Sequence, residues 1–257
     1  FVTLTDAALG LDKQPVIIDS VEEDENGKLS VVAYGRQPGV YSPARYSTQD
    51  ANRPSVDYNV APGDAINPVI FELPAVLSGG VMKAYVAAAG GTNWGGCHVW
   101  ASMDGTTYKK VDTAMNPARY GSLRDALPAG AAIDTTNTLK IDVTDSKAIL
   151  SSGTYDDAIG KRTLCWVDGE LIAYQTATLA AANHYDLTML VRGCYGTPIS
   201  SHAAGAKFVR IDNNVLAGYH YNLDDIGKTA YLKLQSFNPY GSGVQDLESL
   251  IPIQHVI

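Results

Sequence analysis

The residues in this chain that could do chemistry are spaced in ways that argue against most of it. Five histidines, His98, His184, His202, His220 and His255, are scattered with no HxH or HxxxH pair, so no metal-ligand spacing is present. Cys97, Cys165 and Cys194 form no CxxC, which indicates neither a disulfide framework nor a zinc site and predicts buried thiols. Cys97 and His98 are adjacent, and adjacent side chains of a strand point to opposite faces, so they cannot pair as nucleophile and base. Asp168 and Glu170 resemble an acid/base pair, yet Asp168 is what a tight turn needs and Glu170 begins the strand that leaves it. Glu22, Asp24, Asn26 and Gly27 have the spacing of half a calcium loop, but the bidentate Glu position is Ala33, so a solvated hairpin tip is expected. There is no Gly-x-Ser-x-Gly elbow and no Walker-type loop. The reading is a protein that is not an enzyme, with no catalytic, metal-binding or cofactor-binding residues and no cofactor.

One loop stands out for binding. Asn93 and Trp94 lie in Gly90-Gly91-Thr92-Asn93-Trp94-Gly95-Gly96, where an indole on a glycine-rich loop offers a flat apolar face to a sugar ring or a partner. The competing and favoured reading folds Trp94 back over a sandwich edge, with the glycines allowing a tight backbone path. Trp100 falls in mid-strand, as a core or domain-interface residue. The run Ser102 to Tyr108 is similar to the Asp-box of sialidases but lacks the residue between Asp104 and Gly105, so a plain Asp-Gly hairpin turn is the better account.

The elements that would position these residues are strands. Asp168-Gly169 between two strand-like runs predicts a type I′ hairpin. Pairing outward from it puts Cys165, Val167, Ile172 and Tyr174 on one face and Leu164, Trp166, Leu171 and Ala173 on the other. Both faces are apolar, so both should be covered. Val16–Val21 and Lys28–Tyr34 around Asn26-Gly27 predict a second hairpin, and Gln37 to Asp64 reads as a linker with a boundary near Pro62-Gly63. Short runs at 68–73, 81–89, 97–102, 107–112, 138–143 and 228–237 suggest a fibronectin type III-like β-sandwich. The expected organisation is therefore all-β: an N-terminal hairpin segment and linker over 1–62, ending a preceding domain; a sandwich from 63–144 plus 219–257; and a small β domain inserted over 145–218. Helix is expected only as single turns near Thr5–Leu9 and Asp246–Leu250.

Composition bounds the partners. With 24 Gly, 12 Pro and 15 Tyr in 257 residues, the chain has a strand-and-turn composition and room for two domains. A formal charge of −8 and no Lys/Arg cluster argue against nucleic acid. Val81–Ala89 is far too short to span a bilayer. A first residue of Phe1, with no charged-then-apolar leader after it, suggests an excised piece or processed product.

Several blocks carry a family resemblance. These are Val2–Asp6 with Leu9-Gly10-Leu11, Asn93 to Gly105, Trp166 to Leu179, Tyr185 to Thr197, His202 to Asp212 and Lys233 to Gly241. In this order they resemble the C-terminal part of tail-tip, or baseplate hub, proteins of long-tailed bacteriophages and gene transfer agents. The resemblance implies a structural component of a phage or prophage tail tip, located in the virion tail and made in the bacterial cytoplasm, with other tail proteins as partners. It further implies a trimeric parent, from which an isolated fragment would be a monomer or weak oligomer. The alternative is a carbohydrate-binding module recognising a host-surface polysaccharide.

Overall fold

The computed structural model describes residues 2–35, 56–212 and 216–257, and strands dominate it. Two units divide the chain, Phe1–Val56 and Asp57–Ile257. The first is an antiparallel sheet of β1 (Val2–Asp6), β2 (Leu11–Glu23) and β3 (Leu29–Gly35), in the order β1-β2-β3. Its β2–β3 turn is the expected Asn26-Gly27 hairpin: the Asp24 carboxylate accepts the N–H groups of Asn26 and Lys28 at 2.9 Å, which commits it to the turn. Hardly any of this sheet is covered. Within its strands only Val16 is buried, whereas Val2, Leu4, Ile18, Val31, Val32 and Tyr34 are exposed.

The second unit begins with β4 (Val69–Glu72), a one-turn helix α1 (Ala75–Ser78), β5 (Lys83–Ala87), β6 (Gly96–Ser102) and β7 (Lys109–Ala114). It continues through β8 (Tyr120–Leu123), β9 (Ile133–Asp134), β10 (Leu139–Asp142), helix α2 (Tyr155–Ile159), β11 (Leu164–Val167), β12 (Glu170–Ala181), β13 (His184–Val191) and β14 (Lys207–Arg210). It closes with β15 (Ala217–His220), β16 (Thr229–Phe237) and β17 (Ile253–Val256).

Two sheets, β15-β5-β4 and β17-β16-β6-β7, share a core of Val86, Trp94, Val99, Ala217, Leu232 and Leu234. Lettered A, B, C, C′, E, F, G along the chain, they read A-B-E and C′-C-F-G, the arrangement of a fibronectin type III-like sandwich. β16 shows why it settles there: Ala230, Leu232, Leu234 and Ser236 face inward while Tyr231, Lys233 and Gln235 face out, a period of two that buries one face.

Between β7 and β15 the chain builds a closed barrel. Strands β10-β8-β14-β11-β12-β13 pair in that order, and β10 also pairs β13, so six antiparallel strands leave no edge, with β9 added beyond β13. Sheet membership therefore draws the inner boundary earlier than 145. Thr138–Val143, expected in the sandwich, forms β10 and bonds to β8 and β13, because an alternating strand fits either sheet until its distant partner is known. The outer boundary differs too. Residues 57–62, expected in the linker, join the second unit, since Asn238 Nδ2 donates to the carbonyls of Tyr58 and Val60 at 2.8 and 2.9 Å. The linker expectation for 37–55 lies outside the described residues.

The Asp168-Gly169 hairpin has the predicted form. Asp168 and Gly169 take φ +42° and +96°, and Cys165 pairs Ile172 while Trp166 pairs Leu171. Cys165, Val167, Ile172 and Tyr174 enter the barrel core with Leu139, Ile141, Leu187 and Phe208. The other face meets the sandwich: Trp166 and Val209 pack with Val69, Phe71, Ala87 and Tyr120, the Phe71 and Trp166 rings lying 5.1 Å apart. Tyr120 ties the two bodies further, its hydroxyl donating to the Ile66 carbonyl and accepting from the Ala89 N–H at 3.2 Å. At the base of the insertion, Gly218 N of β15 donates to Asp112 Oδ2 of β7 at 2.9 Å, holding the outgoing and returning strands together.

Of the two segments expected to hold helical turns, Thr5 and Asp6 end β1 and residues 7–9 form a turn, while Asp246–Leu250 also holds a turn, and neither contains a helix. The helices fall elsewhere. α2 starts at Thr154, whose hydroxyl accepts the Asp157 N–H while the Asp157 carboxylate accepts the Thr154 N–H, a capping box spelled T-x-x-D. No helix among the described residues is long and apolar enough to cross a membrane.

Candidate functional site

The glycine-rich loop turns inward. Trp94 is buried in the sandwich core, its Nε1–H donating to the buried Ser236 hydroxyl at 3.1 Å. Gly90 makes this possible, because a Cβ there would stand 2.3 Å from the indole. Asn93 stays exposed at the loop tip. The two residues nominated together as a sugar or partner contact are thus separated, and Trp94 offers no open face for stacking, because capping the sandwich core removes more apolar area from water than leaving the ring outside. Trp100 lies half-buried on the outer face of β6, donating to Gln235 Oε1 at 2.9 Å.

The other nominated chemistry is spent on structure. Asp104 accepts from Ser102 Oγ and from the N–H groups of Thr106 and Thr107 at 2.7 to 2.8 Å in the β6–β7 turn. These bonds, the Thr107 N–H foremost, hold its carboxyl well below the usual range. All three cysteines are free and buried, and burial pushes the Cys97 thiol up to about 12, away from any reactive thiolate. Cys97 points into the sandwich core and His98 outward, where it meets Thr113 Oγ1 at 3.1 Å. No group of three or more His, Cys, Asp or Glu side chains suited to a metal occurs among the described residues.

Sequence reasoning weighed Glu170 only as a partner of Asp168 and missed its buried role. Its side chain at the start of β12 is fully buried and accepts from Arg192 Nε and Nη2 at 2.7 and 2.8 Å, and from the N–H groups of Gly193 and Ser200 at 3.1 and 3.2 Å. His202 Nε2 stands 2.8 Å from Oε2. Arg192, equally buried, also donates to the carbonyls of Pro128 and Ser200 and lies 3.6 Å from Asp134. Burial alone would raise the Glu170 pKa, but the bonds from Arg192, His202 and Ser200, with the Arg192 charge, outweigh it and hold the carboxyl down to about 2. With its oxygens engaged and no opening to solvent, the cluster pins the 193–202 loop to the start of β12. A signal was available: Glu170 shares its strand face with Ile172 and Tyr174, and a charge on a covered face demands a partner.

A second arrangement joins two segments far apart in the sequence. Tyr58 and Tyr240 stand edge to face, centroids 5.0 Å apart at 69°, yet they remain 62 and 53 % exposed. The buried Asn238 holds both loops. Besides its bonds to Tyr58 and Val60, its Oδ1 accepts the N–H groups of Tyr240 and Ser242, each at 3.0 Å. Gly243, at φ +59°, lets the loops close, since a Cβ there would meet the Val60 carbonyl at 2.5 Å.

The fold thus defines an all-β protein, a sandwich carrying an inserted barrel. Residues 118–209 match the family described as Rcc01698-like, C-terminal, and that span runs from just before β8 into β14, the length of the barrel. No curated protein matches the chain.

Proposed function

We propose that this chain is a structural component of a phage or prophage tail tip, contributing a hub segment to tail assembly and host-facing architecture. The observation that carries the reading is the β1-β2-β3 sheet, which leaves Val2, Leu4, Ile18, Val31 and Val32 in water where a self-sufficient sheet would bury one face. Apolar sheet surface of this kind suits a segment that gains its core on assembly with other tail proteins. The ordered blocks that resemble hub proteins, from Val2–Asp6 to Lys233–Gly241, support the same reading. The test is to purify tailed particles from a strain bearing an epitope-tagged copy of the gene and label them for electron microscopy. Label at the tail tip is expected; particles free of the chain would overturn the proposal.

A second reading, a module that binds host-surface carbohydrate, loses Trp94 as its platform. It gains the exposed Tyr58–Tyr240 pair, which is the observation that favours it.

A further inference from the structure

We infer that Tyr58, Tyr240 and the loops that carry them form a binding site for a neutral saccharide, an inference that rests on the carbohydrate-binding reading and assigns it a place and a ligand class. Two large aromatic side chains more than half exposed contribute little to folding, yet the backbone beneath them is fixed by the fully buried Asn238 and the close approach at Gly243. Rigid placement of exposed phenols lowers the ordering cost of binding. It also presents ring faces, apolar in the middle and hydroxylated at the tip, which match the C–H faces and hydroxyls of a sugar.

Charge narrows the ligand. The segments 57–64 and 238–246 contain Asp57, Asp64 and Asp246 and no Lys or Arg. Uronates, sialosides and phosphates would be repelled, whereas sugar hydroxyls would donate to carboxylates and to Asn59 and Ser242. An extended peptide is the poorer fit. It would need a strand edge, and here the backbone groups are already used: Asn238 N donates to Ser242 O and Gly241 N to Asn238 O, both at 2.9 Å, and the Tyr58 carbonyl is held by Asn238.

The experiment titrates the whole chain with neutral hexose and N-acetylhexosamine oligosaccharides, using a polygalacturonate and an oligoarginine peptide as charged probes. Saturable binding of a neutral oligosaccharide is expected, weakened roughly tenfold or more by Tyr58→Ala or Tyr240→Ala. Tyr58→Phe and Tyr240→Phe should retain most of it, and thermal unfolding of all four variants should stay near the parent's because both rings are exposed. Neutral-sugar binding that survives the double alanine variant would overturn this site while leaving the carbohydrate-binding reading standing. Failure of every neutral probe to bind the parent would overturn both, and binding of oligoarginine alone would reassign the pair to a cationic peptide.

Discussion

Glu170 and Arg192 meet as a two-pronged ion pair, Nε to Oε1 at 2.7 Å and Nη2 to Oε2 at 2.8 Å, with neither side chain reaching solvent. The pair joins the first residue of β12 to the residue after β13, and through Ser200 and His202 it fastens the loop that follows. Truncating one partner strands the other charge in a dry site. Glu170→Ala is therefore expected to cost about 3 to 5 kcal/mol, read as a lowered denaturant midpoint. A variant as stable as the parent would mean that water enters and solvates Arg192.

Acid should act through the same carboxylate. Its folded pKa of about 2 lies below the ordinary glutamate value of about 4.3, so its contribution is full above that value and is lost as pH falls toward about 2. Asp134, held low against its own burial by Asn137, Thr136 and Arg192, works in the same direction. Unfolding midpoints of the parent and Glu170→Gln, followed downward from neutral pH, should converge as the acid limit is approached. Curves that stay parallel would remove Glu170 from the acid response.

The turn at Asp168-Gly169 makes a separable prediction. At Gly169, φ is +96° and a Cβ would meet nothing within 4 Å, so Gly169→Val isolates backbone strain from crowding. A loss above about 1 kcal/mol is expected, whereas Gly169→Asn, which tolerates positive φ, should lose less. Equal melting of the two variants would show that the turn relaxes to another type.

For Trp94, packing and binding give opposite outcomes. Trp94→Ala should lower stability by about 3 to 5 kcal/mol, and saccharide should leave the emission of this buried indole unchanged. Parent-like melting of the variant with loss of polysaccharide binding would restore the loop as a sugar platform.

Tyr120 tests the joint between sandwich and barrel. Tyr120→Phe deletes a hydroxyl that serves the Ile66 carbonyl and the Ala89 N–H, leaving a buried donor unpaired at a cost of about 1 to 3 kcal/mol. Hydrogen exchange at Ala89 should quicken in the variant; unchanged protection there would show that another acceptor takes its place.

What could be read from sequence was what is local. The type I′ hairpin, its register and its two apolar faces follow from Asp168-Gly169 and four alternating residues on either side. The sandwich strands follow from period-two runs such as Tyr231 to Gln235. What escaped was non-local. Nothing near Ile141 announces that it will pair with Leu123 and Tyr185 in a barrel, with no sandwich partner. Glu170 looked idle because its partners stand 22 and 32 residues onward. Tyr58 and Tyr240 are brought together by bonds such as that from Asn238 to the Tyr58 carbonyl, a link that spans 180 residues.

The bond from Gly218 to Asp112 has an evolutionary reading. Because the chain departs after β7 and returns at β15, two strands already fastened to each other, the A-B-E and C′-C-F-G pairings of the sandwich involve no residue of the segment threaded between them. The barrel resembles a cassette at a permissive splice site, and recombination there could exchange one β domain for another without rerouting the host fold. The toll for such an exchange is set at the apolar seam, where an incoming domain would have to supply replacements for Tyr120, Trp166 and Val209 that fit against Val69, Phe71 and Ala87.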